Sequence, residues 1–419
     1  MPILSLAFKS LLNRRVTASL TVFTIAVSVT LLIGVEKIRT EAKSSFANTI
    51  SGTDLIVGAR SGAIQLLLYS VFRIGNATNN ISWESYRDIA ENPQVAWTIP
   101  LSLGDSHRGF RVLGTTRDYF EHFRFSRQRQ LSFAAGGPLD DVFDAVLGAT
   151  VAETLGYRLG DPIVVQHGLG SEGFASHKDK PFRVAGVLAK TGTPVDRTVH
   201  VSLEGIEAMH VDWRGGAPVP GLGIGAEEVR TMDLRPTVIT AFLVGLKSRL
   251  ATFSMQRRIN EYRSEPLLAI LPGVALQELW GLVGTAEQAL SAISVLVVIT
   301  GLLGMATMLL STLNERRREM AILRSVGARP LQVFGLFALE ATILTALGTL
   351  LGLALVYLSL AVAQPIVDAR FGLYLPITWP TAWNMAVIGL VVLAGFIVGA
   401  VPAFRAYRRS LADGMIVRT

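Results

Sequence analysis

The sequence predicts a membrane protein of four transmembrane α-helices, with one large α+β domain inserted between the first and the second. Three observations carry that prediction. Half of the 419 residues are hydrophobic and only 17% are charged, with a mean hydropathy of +0.44, a balance too apolar for an ordinary soluble domain of this length. Four apolar runs reach the roughly 20 residues that a ~30 Å hydrocarbon core demands of a helix. Between the first two runs lies a stretch of about 250 residues that mixes strand-like and helix-like patterning, as a folded α+β domain does.

In chain order, residues 1–16 read as a cytoplasmic amphipathic segment and 17–35 as the first span. That run ends at Gly34-Val35-Glu36 without an A-x-A-like cleavage site, so it is expected to be a retained anchor. Residues 36–285 form the inserted domain, 286–313 the second span with a stalk, and 314–330 a cytoplasmic segment. Residues 331–363 are the third span, 364–382 a short outer loop, 383–404 the fourth span and 405–419 a cytoplasmic tail. As a helix, the third run would measure about 50 Å, too long for one perpendicular crossing, so it should tilt or project.

Orientation follows from the short basic flanks. Lys9, Arg14 and Arg15 precede the first span, Arg316, Arg317, Arg318, Arg324 and Arg329 follow the second, and Arg405, Arg408, Arg409 and Arg418 follow the fourth. All three flanks belong inside, which leaves the inserted domain outside. The same placement explains the net charge of +7 and pI near 9.8 without a nucleic-acid partner. The absence of cysteine excludes disulfides, thiolate metal sites and cysteine nucleophiles, so the outer domain must fold on its core alone.

Within that domain, residues 54–59, 110–115, 163–166, 182–188, 199–202 and 238–246 are β-branched or alternating runs and read as strands. Helical patterning falls on 63–72, 82–91, 150–157 and 250–262. From 266 to 285, Val274, Leu276, Leu279, Trp280 and Val283 continue at helical spacing into the second span. This fits either a continuous stalk or a helix end packed beneath the domain.

The segment after the second span carries the most information. As a helix it places Met320, Leu323 and Val326, flanked by Glu319 and Ile322, on one side and Arg317, Arg318 and Arg324 largely on others, with Gly327 and Pro330 ending it. Such a rod suits a partner's groove, with apolar anchors giving affinity and arginines giving orientation. A positive-inside loop lying on anionic lipid would satisfy the charges equally well.

The string from Asn314 to Ala328, with Glu340-Ala341 after it, resembles the segment that follows the second span in permeases of the MacB, FtsX and LolC/LolE type. The ending Val401-Pro402-Ala403-Phe404-Arg405-Ala406-Tyr407-Arg408-Arg409-Ser410 is similar to that family's C-terminus. Gly114-Thr115-Thr116-Arg117-Asp118-Tyr119-Phe120 and the stretch from Val184 to Asp196 resemble its external core domain. The resemblance implies the permease subunit of an ABC transporter of the mechanotransmission kind, in the bacterial inner membrane, with the large domain periplasmic. Two permease chains, identical or paralogous, would sit over two ATPase subunits that bind ATP and magnesium, with no cofactor in this chain. It also implies that Glu315, Arg316, Arg317, Arg318, Glu319, Met320, Ile322, Leu323, Arg324 and Gly327 lie in the ATPase groove. Membrane lipid and a periplasmic accessory protein are further partners to expect. The alternative within the resemblance is an FtsX-like signalling permease, which moves no substrate and activates an external enzyme.

No G-x-x-x-x-G-K-[ST] occurs in these residues, so the ATPase is expected on a separate chain. Residues 168–173 fit G-x-G-x-x-G but lie between strands, and read as a hairpin tip rather than a nucleotide site. Neither H-E-x-x-H nor G-x-S-x-G appears, and this chain is not expected to be an enzyme. Gly348-x-x-x-Gly352 and Gly395-x-x-x-Gly399 would let span helices approach closely. Glu340 is an intramembrane carboxylate, for which a structural or coupling role is expected. His167, His177, His200 and His210 cluster near Asp179, Asp196 and Asp212 and are candidate ligands for a divalent metal. Leu66, Leu67, Leu68, Val71 and Phe72 offer core packing or an apolar contact for lipid.

Overall fold

The structure is a computed structural model and describes residues 2–167, 177, 179–214, 217–218, 223–315, 322, 325–371 and 377–408. The chain folds as two compact units, one of Met1–Glu41, Gly284–Pro365 and Leu375–Thr419, the other of Ala42–Val283 and Ile366–Tyr374.

A short helix, Pro2–Asn13, precedes four long ones: Arg15–Thr49, Pro272–Glu315, Pro330–Phe371 and Ala382–Arg408. Arg15–Ala47, Pro272–Ser311, Pro330–Val367 and Ala382–Phe404 are long and apolar enough to cross a membrane. The first runs well past its apolar stretch, because the polar residues after Val35 pair along the helix. Arg39 meets Glu36 at 3.1 Å and Lys37 meets Glu41 at 3.7 Å, at the i,i+3 and i,i+4 spacings that support a helix. The overlong third run is one continuous helix opened by Pro330, whose missing N–H costs nothing in the first turn.

Ile25, Val29, Ile33, Val298, Leu302, Met305, Leu344 and Val356 form the buried seam of this unit. Glycines set how closely the helices approach. A Cβ on Gly348 would lie 2.7 Å from the Cβ of Ile25, and one on Gly352 would lie 2.7 Å from the Ala26 carbonyl. On the fourth helix, a Cβ at Gly395 would strike Thr345 Oγ1 at 2.2 Å, and one at Gly399 would strike the Ala341 Cβ at 2.1 Å. Both small-residue motifs are therefore used as packing faces. Between the first and third helices Thr30 Oγ1 donates to the Gly352 carbonyl at 3.1 Å, and between the first and second Ser28 Oγ donates to the Val297 carbonyl at 3.2 Å.

The second unit is built on a mixed sheet. Its main strands are β1 (Leu55–Ala59), β2 (Val95–His107), β3 (Phe110–Thr115), β4 (Phe133–Gly136), β5 (Asp144–Leu147), β6 (Phe182–Leu188), β7 (Thr198–Ser202), β8 (Ala241–Leu246) and β9 (Leu267–Ile270). They lie in the order β9-β1-β8-β2-β3-β7-β5-β6-β4. β7 runs parallel to β3 and β6 parallel to β5, and the remaining neighbours are antiparallel. β6 alternates as its sequence predicts, with Phe182, Val184 and Leu188 buried and Arg183 exposed. Thr198–Ser202 is buried on both faces and joins the two halves of the sheet.

The helix Ala63–Val71 lays Leu66, Leu67 and Val71 into the largest core cluster, with Phe72 after it, so this apolar run is core. The first turns of Pro272–Glu315 join the same cluster. Ala275 and Leu276 pack against it, and Trp280 meets Phe46 edge-on at 5.6 Å. Residues 267–270 form β9 rather than helix; from Pro272 the helix is continuous into the second span, and its first turns are packed on the domain core.

Candidate functional site

In the helical unit, polar chemistry gathers around Lys37. Its side chain is 5% exposed, just past the apolar stretch of the first span helix. The ammonium donates to the Thr378 carbonyl at 3.0 Å and to Thr378 Oγ1 at 2.8 Å, and stands 5.6 Å from the Tyr357 ring centroid. Tyr357 donates to the same carbonyl at 2.9 Å, and Thr378 Oγ1 donates to Glu41 at 2.8 Å. One buried cation thereby ties the first helix to the third and to the start of the fourth, with Glu41 balancing its charge. Arg39 adds a 3.1 Å ion pair to Glu287 on the second-span helix. Sequence reasoning missed this cluster because its members are 341 positions apart. The available signal was a lone lysine just beyond a span with a tyrosine in another.

At the other end of these helices lies the segment joining the second and third. Glu315 ends the second-span helix. Ile322 and Val326 are 55% and 84% exposed, and Val326 N–H donates to the Ile322 carbonyl at 3.1 Å, as in a helical turn. Gly327, at φ +99°, occupies the left-handed position that terminates such a turn, and Pro330 starts the next helix. Arg316, Arg317, Arg318, Glu319, Met320, Leu323 and Arg324 lie outside the described residues, as does the Gly-rich tip at 168–173. Glu340 is 2% exposed, on the third-span helix next to Ala341, where the fourth packs through Gly399.

The histidines of the outer domain separate into distinct settings. His177 and His210 come together, ring centroids 5.2 Å apart and perpendicular, with Trp213 against His177 at 4.5 Å. His210 Nδ1 lies 2.7 Å from the Ile206 carbonyl. His200, fully buried on β7, packs against Tyr119 at 5.0 Å and Phe120 at 5.8 Å, with Nδ1 3.1 Å from the Val146 carbonyl. Burial, reinforced by the Arg73 charge, pushes its pKa down to about 3. His167 pairs in a short strand with Asp105 of β2. The aspartates near them hold other partners: Lys180 bonds Asp212 at 2.8 Å and Asp179 at 3.0 Å, while Asp196 accepts from Thr191 and Gly192. A different trio, Asp118, Glu121 and His122, brings its ligand atoms within 4.8 Å of one another. The D-x-x-E-H spacing on one helical turn was its sequence signal.

Two family models divide the chain between them. Residues 18–243 match the MacB-like periplasmic core domain and residues 291–411 match the FtsX-like permease C-terminal domain. The chain belongs to the MacB-like, FtsX-like family of ABC transporter permeases. The permease is 24% identical to the macrolide export ATP-binding/permease protein MacB of Nitrobacter winogradskyi, over 96% of this chain and 58% of that protein. It is 25% identical to the MacB of an Azoarcus species, over 96% of this chain and 57% of the relative. The permease thus spans a little over half the length of these relatives. The ABC transporter permease YknZ of Bacillus subtilis is 28% identical over 28% of each chain. Among solved structures, the periplasmic region of MacB from Actinobacillus actinomycetemcomitans is similar, with a TM-score of 0.33 and 12% identity over 56% of this chain and 94% of that one. So is the extracellular domain of a YknZ from Gram-positive bacteria, with a TM-score of 0.30 and 12% identity over 52% of this chain and 98% of that one. The permease is a multi-pass membrane protein with a large α+β domain of the periplasmic core type.

Proposed function

We propose that this permease couples ATP hydrolysis by a separate ATPase subunit to movement of its outer domain, driving export, extraction or release of a substrate at the bacterial inner membrane. In this reading both termini and residues 314–330 face the cytoplasm, the large domain is periplasmic, and a second permease copy or paralogue completes the complex.

The observation that supports it is the exposure of Ile322 and Val326 at 55% and 84% in a short turn closed by Gly327, within a segment rich in arginine. Large apolar side chains left exposed beside a run of arginines are what a partner groove would cover. ATP and magnesium belong to that partner.

The test is co-purification with the ATPase and ATP-dependent function in Ile322→Asp and Leu323→Asp variants, with membrane insertion checked in parallel. A carboxylate forced into the groove loses water at a cost on the order of several kcal/mol. Both variants should insert normally and lose the ATPase. Wild-type co-purification and function in both would refute the docking assignment.

A further inference from the structure

The outer domain holds a cavity of about 510 Å³ between the loop 75–80, the bend at Leu103-Gly104 of β2, and Arg111 of β3. Arg73 and Arg111 are the two charged residues that line it, and no aspartate or glutamate is among its lining residues. Asn76, Thr78, Asn79 and Asn80 supply the rest of its polar wall. Elsewhere in this domain the fully buried cation Lys180 is matched by Asp212 at 2.8 Å. Arg73 and Arg111 form no ion pair among the described residues. Arg111 donates only to neutral acceptors, Asn76 Oδ1 at 3.0 Å and the Gly75 carbonyl at 2.8 Å. Arg73 donates to the Ser70 carbonyl. Its Nε–H is buried without a hydrogen bond of good geometry, although the Tyr119 hydroxyl lies close enough to favour the charge.

The backbone adds an independent observation. Arg73 stands at φ +59°, just beyond the helix Ala63–Val71, in a left-handed position that glycine fills without strain. A residue that holds such a position against its backbone preference is kept there by its surroundings, and such outliers concentrate at ligand clamps. Capping the helix end through Ser70 explains one of the five donors of Arg73 and none of those of Arg111. Burial lowers the pKa of both groups, and the Arg73 charge further lowers that of Arg111.

We infer that this cavity binds a phosphate group, either free or at the head of a lipid, through the guanidinium groups of Arg73 and Arg111 with the Asn76–Asn80 loop as secondary donors. Two adjacent guanidiniums suit an oxyanion with several acceptor oxygens and more than one charge. The volume exceeds that of a bare ion, which leaves room for an attached glycerol-sized group.

Thermal unfolding of the full chain in neutral detergent tests this, because a ligand that binds only the folded state raises Tm with saturation. The probes are inorganic phosphate, glycerol 3-phosphate and a short-chain phosphatidylglycerol, with acetate and chloride at matched ionic strength as controls. The wild type should show a saturable rise with at least one phosphate probe, and the tightest probe identifies the source. Arg111→Gln should weaken it about tenfold or more. Arg73→Gly should abolish it while leaving Tm without anion unchanged or higher, since it relieves the backbone and removes an uncompensated cation. No saturable rise with any phosphate probe, an equal rise with acetate, or an undiminished rise in both variants would overturn the inference. So would a fall in the anion-free Tm of Arg73→Gly with no phosphate effect in the wild type, which would leave Arg73 as a helix cap alone.

Discussion

His200 shows how one side chain can tie the outer domain to pH. Its ring is fully buried, Nε2 has no hydrogen-bond partner, and its pKa falls to about 3, whereas an unfolded histidine titrates near 6.5. Between those values the unfolded chain binds a proton that the folded domain does not, so stability rises with pH across the window and levels off above about 6.5. His200→Phe keeps the aromatic packing against Tyr119 and Phe120 and loses only the contact to the Val146 carbonyl. It should unfold within about 1 kcal/mol of the wild type at neutral pH. It should also lose less stability than the wild type between about pH 6.5 and 4.5, the difference being on the order of a kcal/mol or more. Chemical denaturation followed at both pH values decides it, and parallel acid losses in the two proteins would show that His200 is protonated in the fold. The clustering of four histidines was legible in the sequence, but their separation was not. It depends on β7 lying between β3 and β5, which puts His200 among aromatics while His177 and His210 meet around Trp213.

Among the elements, the glycine faces of the span helices give the firmest expectation. A Cβ at Gly348 would lie 2.7 Å from the Ile25 Cβ, an atom fixed to the backbone that cannot swing aside, while a Cβ at Gly389 on the fourth helix would meet nothing within 4 Å. Gly348→Ala should therefore destabilise the helical unit by about 1–3 kcal/mol through overpacking. Gly389→Ala should be neutral or slightly stabilising, since alanine is the better helix former. Tm of the two purified variants in one detergent makes the comparison, and equal values would mean that the helices do not approach this closely in the membrane. The glycine spacing could be read from the sequence; which helix each face meets could not. The same boundary runs through the sheet. β6 was legible because Phe182, Val184 and Leu188 alternate with less buried residues. The long strand β2 was missed because Pro100, Gly104 and Asp105 read as breakers. In the fold Pro100 lies opposite Phe242 in an interior strand, its carbonyl accepts from Thr115 Oγ1 at 2.8 Å, and the register shifts between Leu103 and Ser106. Tertiary pairing overrides the local signal there.

At the scale of the whole molecule, the proposed coupling needs a stiff connection, and the covalent candidate is the helix Pro272–Glu315. It begins two residues after β9, packs Ala275, Leu276 and Trp280 against the domain core, and ends at the first residue of the proposed ATPase-docking segment. A hydrogen-bonded helix resists bending along its length, whereas a proline in its interior removes one i→i−4 bond and clashes with the preceding turn, at a cost of about 3 kcal/mol. Gly284 is the informative position, because a Cβ there would meet nothing within 4 Å and substitution disturbs no packing. The chain has no cysteine, so Asp140→Cys offers a unique label site on the exposed side of the outer domain, at 71% side-chain exposure. In the complex reconstituted with its ATPase, a fluorophore at position 140 should report an ATP-dependent change in the wild type and in Gly284→Ala, whose helix is stiffer by up to about 1 kcal/mol of intrinsic propensity. Gly284→Pro should keep the ATPase bound and hydrolysing while the ATP-dependent signal is lost, which separates a broken connection from a failed docking site. If Gly284→Pro transmits as well as the wild type, the helix is only a tether, and movement must reach the domain through the first span and its Lys37 clamp instead.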